Sequence, residues 1–152
     1  RLDPKAAQAE LGERAPEGDA AALRERLQNA IGGDARVFTD PAGGRVRVTQ
    51  AIADHIIEDP SRQDGREAFF PFIPEILERP QEIWVGFARD KGTGRVALRR
   101  RYVRLLKLGK NRTLGLVADA GHAFWQGVTF FRGDQRGVRR LRQGVRLYRE
   151  GE

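Results

Sequence analysis

The chain has 152 residues, 39% of them hydrophobic and 32% charged, which suits one domain with a buried core and excludes a disordered segment. No apolar run approaches the ~18 residues of a membrane-spanning helix, and the lack of Cys rules out a disulfide framework, a thiolate metal site and a cysteine nucleophile. The net charge of +7 is unevenly spread: residues 1–82 hold 16 acidic and 11 basic side chains and residues 83–152 hold 5 and 17, so the second half is expected to meet a polyanion.

Residues 1–18 (RLDPKAAQAELGERAPEG) are polar, carry Pro4, Pro16 and Gly18, and read as a linker or leading arm. With no Met anywhere and Arg at position 1, the chain is expected to be a piece of a longer protein, residues 19–152 forming a single domain. Asp19 is placed to cap a helix over residues 20–31, with Leu23, Leu27, Ala30 and Ile31 on one face and Gly32-Gly33 as its stop. Alternating segments at 36–39 and 45–48, joined by DPAGG, predict a β-hairpin. A second helix opens at Thr49 or Gln50, faces Ile52, Ile56 and Ile57 inward and ends before Pro60; a third runs from 73 to 78. The period then changes to that of strands, at 82–89, 95–106, 113–118, 127–132 and 145–149, separated by DKGTG, LGKNR, DAGHA and GDQRG. Hairpin-length connections after a helical start predict an α+β fold with an antiparallel sheet.

Several chemistries fall away. Asp54, His55, Glu58 and Asp59 on one helix, or Asp119 with His122 at a turn, are the metal candidates, but two His without Cys or an HExxH motif make a poor zinc site. KGTGR at 91–95 has neither the length nor the flanks of a phosphate-binding loop, and Ser61, the single Ser, lacks a nucleophile-elbow sequence. What remains is acid–base chemistry on a phosphodiester. A base takes the 2′-hydroxyl proton, an acid protonates the leaving 5′-oxygen, and cations stabilise the phosphorane. No metal and no cofactor is expected.

His55, beside Ile56 and Ile57, either reaches a cleft as the proton shuttle or is a half-buried helix histidine. On the strand at 95–106, parity sets Arg99 and Arg101 on one face and Arg100, Tyr102 and Arg104 on the other. Arg99, Tyr102 and Glu82 are candidate substrate contacts, and Tyr102 and Thr129 each have a hydroxyl for a phosphate oxygen or an ordinary strand role. Glu82 is a candidate acid, or a pairing or capping group. Trp84 and Trp125 read as core.

The succession of His55, Arg66 with Phe70-Pro71, the PQEIW element at 80–84, and Arg101-Tyr102 resembles the phage-associated barnase–EndoU–colicin–RelE-like nucleases. It is most similar to their second phage-associated group, found at the C-termini of phage Mu-like minor head proteins and in polymorphic or contact-dependent toxins. VTFF around Thr129 and the closing RRLRQGVRLY fit the same group, so the resemblance spans residues 48–148. It implies N-terminal helices packed on a four- to five-stranded antiparallel sheet and metal-independent cleavage of RNA, with tRNA as the substrate class. It further implies a toxin domain secreted or delivered as part of a larger protein, acting as a monomer in the target-cell cytoplasm and neutralised by an immunity protein. By the resemblance, His55 is the base or acid, Arg66 a phosphate or substrate contact, Arg101 the transition-state cation and Thr129 a phosphate ligand. A second catalytic His is not evident; His122 in its turn ranks behind the others.

The alternative is a non-catalytic nucleic-acid-binding or structural domain of a phage head protein. An ADP-ribosyltransferase is the weaker reading, for the chain has no Ser-Thr-Ser strand element. The charge distribution adds that the immunity protein should be acidic and cover the basic sheet face.

Overall fold

The first helix forms where its caps dictate. In the computed structural model, which describes residues 9–89, 92–108, 110–133 and 137–151, α1 (Ala20–Ile31) starts at Asp19, whose carboxylate accepts from the Ala22 amide, and stops at Gly32 in the left-handed conformation. Leu23, Leu27 and Ile31, four residues apart, form its buried stripe. β1 (Ala35–Thr39) and β2 (Arg45–Thr49) make the expected hairpin. α2 (Ala51–Glu58) buries Ile52, Ala53 and Ile56, and Pro60 begins a short 3₁₀ turn instead of a further helical turn. A longer 3₁₀ stretch, Arg66–Phe72, leads into α3 (Ile73–Glu78). The sequence reading missed this stretch because its buried FF-P-F run carries no helical period.

β3 (Glu82–Arg89), β4 (Val96–Leu108), β5 (Lys110–Ala120) and β6 (Trp125–Gly133) form an antiparallel meander; α4 (Gly137–Leu141) follows, and β7 (Val145–Arg149) returns beside β3. The connections at 90–91, 109 and 134–136, where turn chemistry was read, lie outside the described residues. The expected four- to five-stranded antiparallel sheet needs correction: the described strands form one seven-stranded sheet in the order β1-β2-β6-β5-β4-β3-β7. The N-terminal hairpin joins it through a parallel pairing of Val46 and Arg47 with Trp125 and Gln126. The physical reason is burial. Val46 and Val48 are fully buried while Arg45 and Arg47 stay exposed, so β2 contributes to the same core and lies in the sheet.

One sheet face packs on α1–α3, with Phe70, Phe72, Ile76, Ile83, Tyr102, Leu106, Leu116 and Phe130 in a common core. The opposite face is half covered, as Val138 and Leu141 of α4 close over Val103 and Leu105, flanked by Trp84, Val117 and Phe131. Gly115 permits that docking, for a Cβ there would lie 2.8 Å from Leu141 and Phe131 side-chain atoms. Residues 9–18 lie along the body. The Ala9 amide donates to Glu75, the Gly12 amide to the Ala68 carbonyl, and Arg26 reaches the Glu13 and Arg14 carbonyls.

Candidate nuclease site

The remainder of the second sheet face carries the charge, among half-buried and buried side chains. Trp84, Arg101, Val117 and Thr129 stand opposite one another across β3, β4, β5 and β6. The row depends on an irregularity between Val117 and Ala118, where β6 gains a residue and Thr129 comes to face Val117. Two residues along β4, Arg99 faces Asp119 and pairs with its carboxylate at 2.8 Å. Arg101 has no such partner. It is 6% exposed, and its Nη1 is buried without a hydrogen bond among the described residues. Burial, and then the like charge of Arg99, draw its pKa below the ordinary arginine value against the pull of Asp119. A guanidinium left buried and unpaired is costly, and an anion at this face would relieve the cost.

A second charged group lies at the edge of β6. His55 is half-buried on α2, and its backbone carbonyl accepts from Arg62 at 2.7 Å. Burial lowers the His55 pKa, and Arg62 and Arg66 push the same way against Glu58 and Asp59, so the imidazole is neutral at pH 7. Arg66 grips the Asp64 carboxylate with Nε and Nη2, both at 3.1 Å, and donates from Nη1 to the Phe130 carbonyl at 3.0 Å. Burial would raise the Asp64 pKa, but the bonds from Arg66 outweigh it and hold the carboxyl below its ordinary value. Arg132 donates to the Asp64 carbonyl at 2.8 Å and stacks over Phe69.

Of the sequence-predicted residues, Arg99, Arg101 and Thr129 thus share the sheet face, while His55 and Arg66 gather at the β6 edge. The two groups meet along β6, since Thr129 immediately precedes the carbonyl that Arg66 holds. The charges acting on Arg101 are Arg99 and Asp119, and those acting on His55 belong to Arg62, Glu58, Arg66 and Asp59, so the two groups are electrostatically separate.

Tyr102 lies elsewhere. It is fully buried on the helix side, its hydroxyl donating to Asp40 while Arg100 donates to both, and the Asp40 carboxylate and burial together push its pKa far up. That hydroxyl is committed to the core and does not face a ligand. Glu82 is equally committed: 2% exposed, it accepts from Arg142 at 2.8 and 2.6 Å and from the Trp84 indole at 2.8 Å. Burial opposes its ionisation, but these bonds prevail and keep it a carboxylate, which makes it a pairing group and not an acid. The sequence reading missed Asp64, Arg132 and the pairing role of Asp119. Only Asp119 left a trace, as the acid that a hairpin register would set opposite Arg99. Among the described residues, no three His, Asp or Glu side chains are grouped to hold a metal ion, and no helix is long and apolar enough to cross a membrane.

The model of the family described as phage-Barnase-EndoU-ColicinE5/D-RelE like nuclease2 matches residues 22–149. None of the curated proteins or solved structures compared with the chain matches it.

Proposed function

This chain belongs to the phage-Barnase-EndoU-ColicinE5/D-RelE like nuclease 2 family, and from that premise we propose that it is a metal-independent endoribonuclease toxin domain acting on tRNA. Family membership makes nucleic acid the substrate. The observation that carries the finer reading is Arg101, a nine-tenths buried guanidinium with an unmade hydrogen bond, flanked by Arg99 and in row with the Thr129 hydroxyl. An RNA phosphodiester placed there satisfies Arg101, and the guanidinium gains most as charge builds on the phosphorane oxygens. His55, kept neutral by burial and by Arg62, acts as the base. It takes the 2′-hydroxyl proton, the 2′-oxygen bonds to phosphorus as the bond from phosphorus to the 5′-oxygen breaks, and the leaving 5′-oxygen takes a proton from water, giving a 2′,3′-cyclic phosphate. Because His55 and Arg101 belong to electrostatically separate groups in the free chain, this reading requires RNA crossing the β6 edge to bring base and cation to one phosphodiester. The domain acts as a monomer, delivered within a larger protein to a target-cell cytoplasm, and an acidic immunity protein covers the basic face.

The test is to incubate total tRNA with the chain in excess EDTA, beside His55→Ala and Arg101→Ala, and to resolve the products on a denaturing gel. Discrete fragments ending in cyclic phosphate, lost in both variants, are expected. Intact RNA that is nonetheless retarded on a native gel would replace this reading with a non-catalytic binding domain. Cleavage that EDTA abolishes would overturn metal independence.

A further inference from the structure

A cavity lies at the end of the sheet, its wall beginning at Ala120, one residue along β5 from the Asp119 that pairs with Arg99. Because β2 runs parallel to the start of β6, the turn of the β1–β2 hairpin meets the turn between β5 and β6. Between them lies a cavity of about 370 Å³, walled in part by Gly43, Gly44, Arg45, His122, Phe124 and Trp125. That volume is in the range of small-ligand sites. Both turns are fixed in place. The Asp40 carboxylate accepts from the Ala42 and Gly44 amides at 2.8 and 2.9 Å and is itself held by Arg100 and Tyr102. Across the cavity, the Gly121 amide donates to the Phe124 carbonyl at 3.1 Å. The rings are backed by cations: the Arg45 guanidinium lies 4.6 Å from the Phe124 centroid and that of Arg100 lies 5.3 Å from the Trp125 ring.

We propose that this cavity is a nucleobase subsite, taking one unstacked base of a single-stranded RNA whose neighbouring phosphate lies at Arg99 and Arg101. The proposal rests on the ribonuclease reading and deepens it by naming the form of the substrate. A base has two apolar faces and a polar edge, and the lining matches both: aromatic rings for stacking, with imidazole and guanidinium for the edge. The lining residues include no acid. Position supports the same ligand. Arg99 faces Asp119, and Ala120 and Trp125, the next pair along those strands, already line the cavity. Successive strand residues point to opposite faces, and Trp125 packs on the helix side with Arg100, so a strand running from Arg99 to the cavity passes around the end of the sheet at the β5–β6 turn. A duplex offers no free base face and would leave the rings unused.

The experiment uses uncleavable strands, so that binding is read apart from turnover. The intact chain is titrated with a 2′-O-methyl tetranucleotide and with a tetranucleotide of the same backbone lacking its bases. The base-bearing strand is expected to bind about tenfold more tightly, the scale of one base stacked on an aromatic ring. Phe124→Ala should erase most of that difference, His122→Ala should reduce it while binding the baseless strand as before, and Arg45→Gln should weaken the base-bearing strand more than the baseless one. Equal binding of the two strands by the wild-type chain would overturn the proposal. So would a preference for bases that survives all three variants. If the preference behaves as expected but tRNA is not cleaved, the ribonuclease reading fails and the base subsite stands.

Discussion

At Arg101 stability and function pull in opposite directions. A guanidinium that is 6% exposed and lacks a partner for Nη1 weakens the folded state and is useful only when an anion arrives. Arg101→Leu should therefore abolish cleavage, by at least about 100-fold, while raising unfolding free energy by on the order of 1 kcal/mol. Urea melts beside a tRNA cleavage assay read both, and a variant that lost stability along with activity would show Arg101 to be structural. His55 gives a prediction with a definite sign. Its pKa in the folded chain lies below 6.5, so the base is lost to protonation only under more acid conditions, and the acid limb of kcat/KM should have its midpoint below 6.5. The same shift bears on stability. Between the folded pKa and 6.5 the unfolded chain binds the extra proton, so stability falls as pH drops through that window and is level above it. His55→Asn should flatten this slope when unfolding is compared at several pH values, and an unchanged slope would remove His55 from the account.

Between elements, the decisive contact is the clamp of Asp40, Arg100 and Tyr102, which ties the hairpin turn to the centre of β4. Tyr102→Phe removes a donor from a buried carboxylate and should cost about 1–3 kcal/mol, yet leave turnover of the folded enzyme intact. A loss of turnover at unchanged stability would return the hydroxyl to the active site. Gly44 belongs to the same clamp, since a Cβ there would meet Arg100 Nη2 at 2.6 Å and the Asp40 carboxylate. The clamp also shows what the sequence made legible. Caps and periodicity determined α1, the hairpin and the strand series, and strand parity alone separated Arg99 and Arg101 from Arg100, Tyr102 and Arg104. Parity does not say which face is core. In sequence the Tyr102 hydroxyl suits a phosphate oxygen or an ordinary strand role equally; Asp40 lies 62 residues away and is joined to it by the fold alone. The parallel pairing of β2 with β6 and the capping of Phe130 by Arg66 are similarly non-local, and no local pattern announces them.

For the whole molecule, the charge is divided as the chemistry requires. Residues 1–82 keep a balance of −5 with local pairs such as Arg24 and Asp54, 3.0 Å apart on the helical side, already counted in it. The balance of +12 over residues 83–152 includes Arg99 and Arg101 on the opposite sheet face. Polyanion binding must then depend on salt mainly through the basic sheet face and the β6 edge. For an uncleavable single-stranded RNA, each phosphate neutralised contributes about −0.7 to the slope of log K against log salt. Arg99→Gln should make the slope shallower by about that amount, whereas Arg24→Gln, which removes an equal charge from the helical side, should leave it unchanged. Equal effects would mean that binding follows net charge and not this face. A sheet face that attracts RNA in this way also attracts any acidic protein of matching shape. An acidic inhibitor should therefore associate faster at low ionic strength and lose that advantage in the Arg99→Gln variant, which stopped-flow capture rates would reveal.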